Sequence, residues 1–360
     1  MRLRVTAATL LVLLTTPAML SGQQQPIVIA HRGASGYRPE HTLEAYRLAI
    51  EMGADFIEPD LVITRDGVLV ARHENEIGGT TDVPDHPEFL DRRTTREIGG
   101  IPVTGWFTED FTLAELRTLR ARERLPEVRP EAAHYDGHFQ IPTLDEVIAL
   151  AQEESAARGR TIGIYPETKH PSYFDSIGLP LEPPLLAALE RAGWTEAADP
   201  VFIQSFETEN LRMLRRRTGV RLVQLMEARG RPYDLARRGD PRSYADLATP
   251  AGLAEIATYA DGIGPNKALV IPRDAQGRLA APTPLVADAH AAGLVVHPWT
   301  FRRENVFLPA DFQAGDAMDA DFPRLPGDLR AEIAAFLAAG VDGLFSDNTD
   351  IAVQAVAKPR

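Results

Sequence analysis

Three carboxylates stand at the ends of short β-type runs: Glu58 and Asp60 close one, and Glu167, with Lys169 two residues on, closes another. Residues two apart share a face of a strand, so each pair points the same way. Carboxylates gathered without a thiol suit a hard divalent ion, Ca2+ or Mg2+, with water and substrate oxygens completing its shell. His31 follows the apolar run Ile27-Val28-Ile29-Ala30, and His73 follows Val68-Leu69-Val70-Ala71. Imidazole titrates near pH 6.5, so such a pair supplies a general base and a general acid for cleaving a phosphoester. Arg32 adds a guanidinium suited to bidentate phosphate contact, and Lys169 adds a second cation. A metal site, two cations and an acid-base pair together describe phosphoryl chemistry, whose transition state needs charge neutralisation and proton transfer more than a protein nucleophile. A lone Glu-x-Asp is commonly a surface ion pair, and a lone histidine commonly structural. His41, His86, His134, His138, His170, His290 and His297 take that structural reading.

These groups need a scaffold that brings several strand ends together. Short β-branched runs alternate with helical patterns, the sign of a parallel sheet with crossover helices. Eight candidate strands lie near 27–31, 55–62, 161–167, 200–205, 220–226, 261–264, 293–299 and 341–346. Eight strand-helix units predict an α/β fold, a TIM (β/α)8 barrel, whose active site sits at the carboxyl ends of the strands. Thr42 to Met52 reads as a helix with Thr42 as its cap, and Leu144 to Ala156 repeats the pattern. From about 75 to 140 the chain is rich in Pro, Gly, Asp and Arg, with one helix-like piece at Leu113 to Leu119. It reads as an insertion after the second strand, on the active-site side, as does an excursion from Pro298 to Pro326.

The 360 residues carry a formal net charge of -13, which argues against a nucleic-acid partner and against anionic lipid surfaces. Met1-Arg2-Leu3-Arg4 is basic and Val5 to Leu20 is uncharged and apolar or small, the layout of a signal peptide over 1–22. The run is shorter than the roughly 20 residues of a spanning helix. A periplasmic or secreted protein without a membrane anchor after cleavage is therefore expected, with the barrel domain over 26–360. The chain has no cysteine, so neither disulfides nor thiolate ligands contribute.

The motifs resemble those of the glycerophosphodiester phosphodiesterases, in particular the periplasmic bacterial type. The likeness runs through His31-Arg32-Gly33, Pro39-Glu40 and Thr42, Glu58-Pro59-Asp60, His73, and Ile164 to Lys169. It continues through Gln204-Ser205-Phe206, Tyr259 to Pro265, Leu294 to Thr300 and Asp342 to Asp347, in the family's order. The resemblance implies that Glu58, Asp60 and Glu167 hold the metal, Ca2+ or else Mg2+, and that His31 and His73 are the catalytic acid-base pair. It implies phosphate contacts from Arg32 and Lys169, and Phe206 and Trp299 lining the glycerol or alcohol side. The implied reaction converts a small-molecule glycerophosphodiester to sn-glycerol 3-phosphate and an alcohol. The chain departs from the family pattern at His41, commonly Asn, and Glu74, commonly Asp. Glu40 is placed as a support of the metal site. Two other readings are a lysophospholipase D-type activity, favoured by a long apolar groove in the insertion, and a non-catalytic ligand-binding member, which predicts a broken metal or histidine set.

Overall fold

The computed structural model describes residues 25–357. The expected signal segment over 1–22 lies outside the described residues. Among those described, no helix is long and apolar enough to cross a membrane.

Eight staves of parallel strand form the barrel. The first is β1 (Ile27–His31), and the second is β2 (Phe56–Glu58) continued by β3 (Asp60–Ile63). A short β4 (Leu69–Ala71) folds back antiparallel on β3. The insertion follows, holding the hairpin β5 (Thr94–Ile98) and β6 (Ile101–Gly105). The third stave is β7 (Gly163–Ile164) with β8 (Glu167–Thr168). Then come β9 (Phe202–Ser205), β10 (Arg221–Met226), β11 (Gly262–Pro265), β12 (Val295–Val296) and β13 (Gly343–Ser346). The second and third staves are interrupted at Pro59 and Pro166, which have no N–H for the ladder. Their carbonyls still serve it: Glu167 N–H donates to Pro59 O and Gln204 N–H to Pro166 O, both at 2.9 Å. The ring closes where β13 pairs with β1, and where Asp342 and Phe345 N–H donate to Val296 O and Pro298 O at 3.0 and 3.1 Å.

The hairpin was not expected from the sequence. Its strands, Thr-Thr-Arg-Glu-Ile and Ile-Pro-Val-Thr-Gly, are exposed along most of their length, so no burial imposes the apolar alternation by which a half-buried strand is read. The one local signal is Gly99-Gly100, both at positive φ (60° and 82°), the backbone a tight hairpin turn requires.

Helices cover the barrel because their apolar faces meet the outward residues of the strands. The first, Leu43–Met52, begins where Thr42 accepts from Ala45 N–H and ends on Gly53 in the left-handed region. The insides of the staves pack separately: Ile29, Phe56, Tyr165, Phe202, Val223 and Phe345 fill the barrel. Tyr165 stacks on Phe202 at 4.9 Å and meets Phe345 edge-on at 5.0 Å. Gly163 admits the Phe56 ring, which a Cβ there would overlap at 2.2 Å. This plug closes the barrel below the strand ends and gives the site a largely apolar floor.

His297 sits in the plug, its Nδ1 bonded to the Tyr165 hydroxyl at 2.9 Å. Burial, aided by Arg221 and opposed by Asp342, pushes its pKa down to about 4. The unfolded chain, with a histidine near 6.5, therefore takes up this proton first. Its contribution to stability is complete above pH 6.5 and is lost as the pH falls toward 4. Unfolding free energy measured across that window should fall less steeply for His297→Asn than for the parent; an unchanged slope would remove His297 as a contributor.

Candidate active site

The site is built at the carboxyl ends of the first three staves. After β1 the chain turns sharply through Arg32 (φ 60°) and Gly33 (φ 86°). A Cβ on Gly33 would lie 2.7–2.9 Å from the backbone and side chain of Ala45 and from Tyr46 N, so only glycine lets this loop lie against the first helix. The turn aims Arg32 N–H at Glu58 Oε2, 2.7 Å away. Gln204 Nε2 donates to the other oxygen of Glu58 at 3.0 Å.

Glu58, Asp60 and Glu167 converge, each offering one oxygen within 4.8 Å of the others. All three are buried. Burial, reinforced by the Asp60 charge, pushes the Glu58 carboxyl well above its usual range. Burial likewise lifts Glu167 to about 8 against the pull of Lys169, with Asp60 adding to the rise. Burial acts on Asp60 too, but Lys169 and the neighbouring imidazoles outweigh it and hold Asp60 well below the carboxylate range. The protein's own cations thus do not keep all three ionised at neutral pH. Asp60 Oδ1 is buried without a hydrogen-bond partner among the described residues. An orphaned carboxylate oxygen beside two under-neutralised carboxylates is the donor set a hard divalent cation requires.

Both imidazoles border the same cavity of about 460 Å³, as do Arg32, Glu58, Glu167, Lys169, Phe206 and Trp299. His31 Nδ1 bonds Asp347 Oδ1 at 2.6 Å, and His73 Nδ1 bonds Glu74 Oε1 at 2.5 Å. A carboxylate on Nδ1 fixes the tautomer that leaves Nε2 as the basic nitrogen. Burial first, then Arg32, lowers the pKa of His31 to about 4 and of His73 to about 3. Both rings are thus neutral at pH 7 before substrate arrives. Lys169 Nζ lies 2.8 Å from Glu167 and 3.8 Å from Asp60. Arg32 Nη1 is held by Glu40 at 2.9 Å, and its Nε stands 3.5 Å from Asp60. Phe206 and Trp299 meet edge-on at 5.7 Å.

Residues 31–351 match the model of the glycerophosphoryl diester phosphodiesterase family. The chain belongs to this family. It is 37% identical to glycerophosphodiester phosphodiesterase GDPD6 of Arabidopsis thaliana, over 90% of this chain and 84% of the relative. It is 29% identical to the glycerophosphodiester phosphodiesterase of Haemophilus influenzae, over 91% and 89%. In fold it is similar to a candidate glycerophosphoryl diester phosphodiesterase from Silicibacter pomeroyi, with TM-score 0.63, 22% identity and 92% of both chains covered. An Oleispira antarctica phosphodiesterase, solved with the product sn-glycerol-3-phosphate, matches with TM-score 0.58, 20% identity and 92% and 97% coverage. The barrel of this family member thus has solved counterparts along nearly its full length.

All nine site residues expected from the sequence border the cavity or the acidic cluster. His41, read as structural, is structural in a particular place: fully buried, it bonds Asp60 Oδ2 through Nε2 at 2.9 Å and the Tyr46 hydroxyl through Nδ1 at 2.8 Å. Its φ of 55° is the left-handed conformation that Asn adopts more readily. Glu40 reaches the acidic cluster indirectly, through Arg32, which it holds and whose Nε stands 3.5 Å from Asp60. Gln204 and Asp347 stood in the motifs without an assigned role, and sequence reasoning missed Arg124 and Arg129. Asp347 follows β13 directly, so a carboxylate at a strand end was its available signal.

Proposed function

We propose that the enzyme hydrolyses glycerophosphodiesters to sn-glycerol 3-phosphate and a free alcohol, with His31 and His73 exchanging protons and Glu58, Asp60 and Glu167 holding a divalent cation. Family membership supplies the reaction class, phosphoric diester hydrolysis. The observation that carries the mechanism is the convergence of two carboxylate-bound imidazoles on one cavity with Glu58 and Glu167, which form a buried cluster with Asp60.

Glu58, Asp60 and Glu167 would hold a hard divalent cation, Ca2+ by the family resemblance or else Mg2+, which when bound would supply positive charge to the phosphoryl group. The remaining work falls to the chain. Arg32 and Lys169 bind and orient the anionic phosphodiester at the cavity floor. One neutral imidazole takes the proton of the attacking oxygen at Nε2 as its bond to phosphorus forms. The other, neutral before substrate arrives, takes up a proton as the anionic phosphodiester binds and delivers it to the departing alcohol oxygen as the bond from phosphorus breaks; the first imidazole then returns its proton to solvent, so protons balance over a turnover. Asp347 and Glu74 stabilise the imidazolium forms as they arise. Phe206 and Trp299 cover the organic part of the substrate and exclude water.

Lysophospholipids are a weaker fit. Of the insertion residues, only Gly99 lines the main cavity, so the insertion contributes no long apolar groove for an acyl chain. Side-by-side assays on glycerophosphocholine and lysophosphatidylcholine test the choice: glycerophosphocholine should be turned over with the higher kcat/KM, and the reverse order would replace this reading with the lysophospholipase D one. The segment over 1–22 supports export across the cytoplasmic membrane; fractionating cells that express the full chain and finding the protein only in the cytoplasm would contradict it.

A further inference from the structure

The insertion supplies almost none of the cavity wall, yet two of its arginines reach the back of the catalytic site. We propose that the insertion positions both imidazoles: Arg129 fixes His31 through Asp347, and Arg124 fixes His73 through Glu74. The inference rests on the reading of His31 and His73 as the proton-transfer pair.

The two chains of contact are alike. Asp347 gives Oδ1 to His31 and Oδ2 to Arg129 Nη2, 2.6 Å away. Arg302 Nε, from the excursion after β12, shares that Oδ2 at 2.7 Å. Arg129 is itself fully engaged, with Nε on Glu304 at 2.7 Å and Nη1 on the Ser35 carbonyl at 3.1 Å. On the other side, Glu74 gives Oε1 to His73 and takes the Arg124 fork at 3.0 Å from Nη1 and 2.6 Å from Nη2. The same guanidinium grips Glu40, at 2.9 Å from Nε and 2.6 Å from Nη2, and Glu40 holds Arg32.

Without such clamps the carboxylates have poor reason to stay in place. Glu74 is adjacent to His73 in a bend of the chain beyond β4, with no strand or helix to fix its side chain. That side chain is 35% exposed, so water competes for its carboxylate. A planar two-toothed guanidinium holds a carboxylate in one orientation as a point charge cannot. Asp347 has the opposite difficulty: it is buried, and burial favours its neutral form, which only Arg302, Arg129 and His31 overcome. Neutral, it could not stabilise the His31 imidazolium. Both arginines are therefore positioning residues, acting on reactive groups through an intervening carboxylate.

Arg129 is buried among ion pairs, and its removal endangers the fold; Arg124 is the testable arm. Arg124→Met should lower kcat on glycerophosphocholine about 10- to 100-fold, the cost of a misplaced catalytic group, with an unchanged circular dichroism spectrum. Glu74→Ala should do the same. In the Glu74→Ala background Arg124→Met should add less than about 2-fold, because two residues acting through one contact are not additive. Arg124→Gln serves as a second variant if Met disturbs folding. A full, undiminished loss in the Glu74→Ala background would overturn the proposal, since Arg124 would then act through Glu40 or the fold. Near-parental kcat in Arg124→Met alongside an inactive His73→Ala would overturn it while leaving the proton-transfer reading intact; an active His73→Ala would strike that reading itself.

Discussion

Alanine at His73 or at His31 should each lower kcat on glycerophosphocholine by about 10²- to 10⁴-fold, the usual worth of a positioned acid or base. The melting temperature and the affinity for the cation should change little, because neither ring belongs to the acidic cluster. The effect is large because neither imidazole has a substitute. Neutral imidazoles held by a carboxylate at Nδ1 are found at these two rings, whereas Lys169 is committed to Glu167 and Asp60 and Arg32 remains protonated throughout. His170 also lines the cavity and its pKa is pushed down to about 4, by burial and then Lys169. Its ring has no carboxylate partner among the described hydrogen bonds, so nothing orients it or stabilises its charged form. Comparable kcat in either alanine variant would take that residue out of proton transfer.

Glu58→Gln should have opposite consequences with and without metal. In the metal-free protein Glu58 is buried beside Asp60 and favours its neutral form, so at pH 7 it must take up a proton on folding; a glutamine of nearly the same shape is neutral without that cost, so the melting temperature should hold or rise. With Ca2+ the comparison inverts. A cation that binds only the folded state at 100 times its dissociation constant stabilises by about 2.7 kcal/mol, and loss of one anionic ligand should remove most of that gain. Thermal scans of both proteins with chelator and with saturating Ca2+ report the two effects together. An equal Ca2+-induced shift in parent and variant would exclude Glu58 as a ligand.

How much of this was legible in the sequence depends on what each residue had to satisfy. The barrel strands were legible because staves buried on both faces read as runs of Val, Ile and Leu, as in Ile27–His31 and Arg221–Met226. Their boundaries were not: Pro59 and Pro166 break the ladders without breaking the staves. Glu58, Asp60 and Glu167 were legible because charge at the end of an apolar run is costly without a purpose. Arg124 and Arg129 were hidden, since their insertion is rich in arginine and only the fold distinguishes the two that turn inward from Arg120 or Arg122. The hairpin over 94–105 was hidden for the converse reason: lying exposed, it carries no apolar period. His41 was given a generic structural role, and only its left-handed backbone and its bond to Asp60 show how closely it supports the acidic cluster.

The central claim is that a divalent cation held by Glu58, Asp60 and Glu167 is required for glycerophosphodiester hydrolysis at this site. Its most direct test is the release of sn-glycerol 3-phosphate from glycerophosphocholine by the purified protein, measured as isolated, after exhaustive chelation, and after adding back Ca2+ or Mg2+. Activity abolished by the chelator and restored by one of the two ions, in a protein that stays folded throughout, is the predicted result. Full activity in the chelated protein would contradict the account.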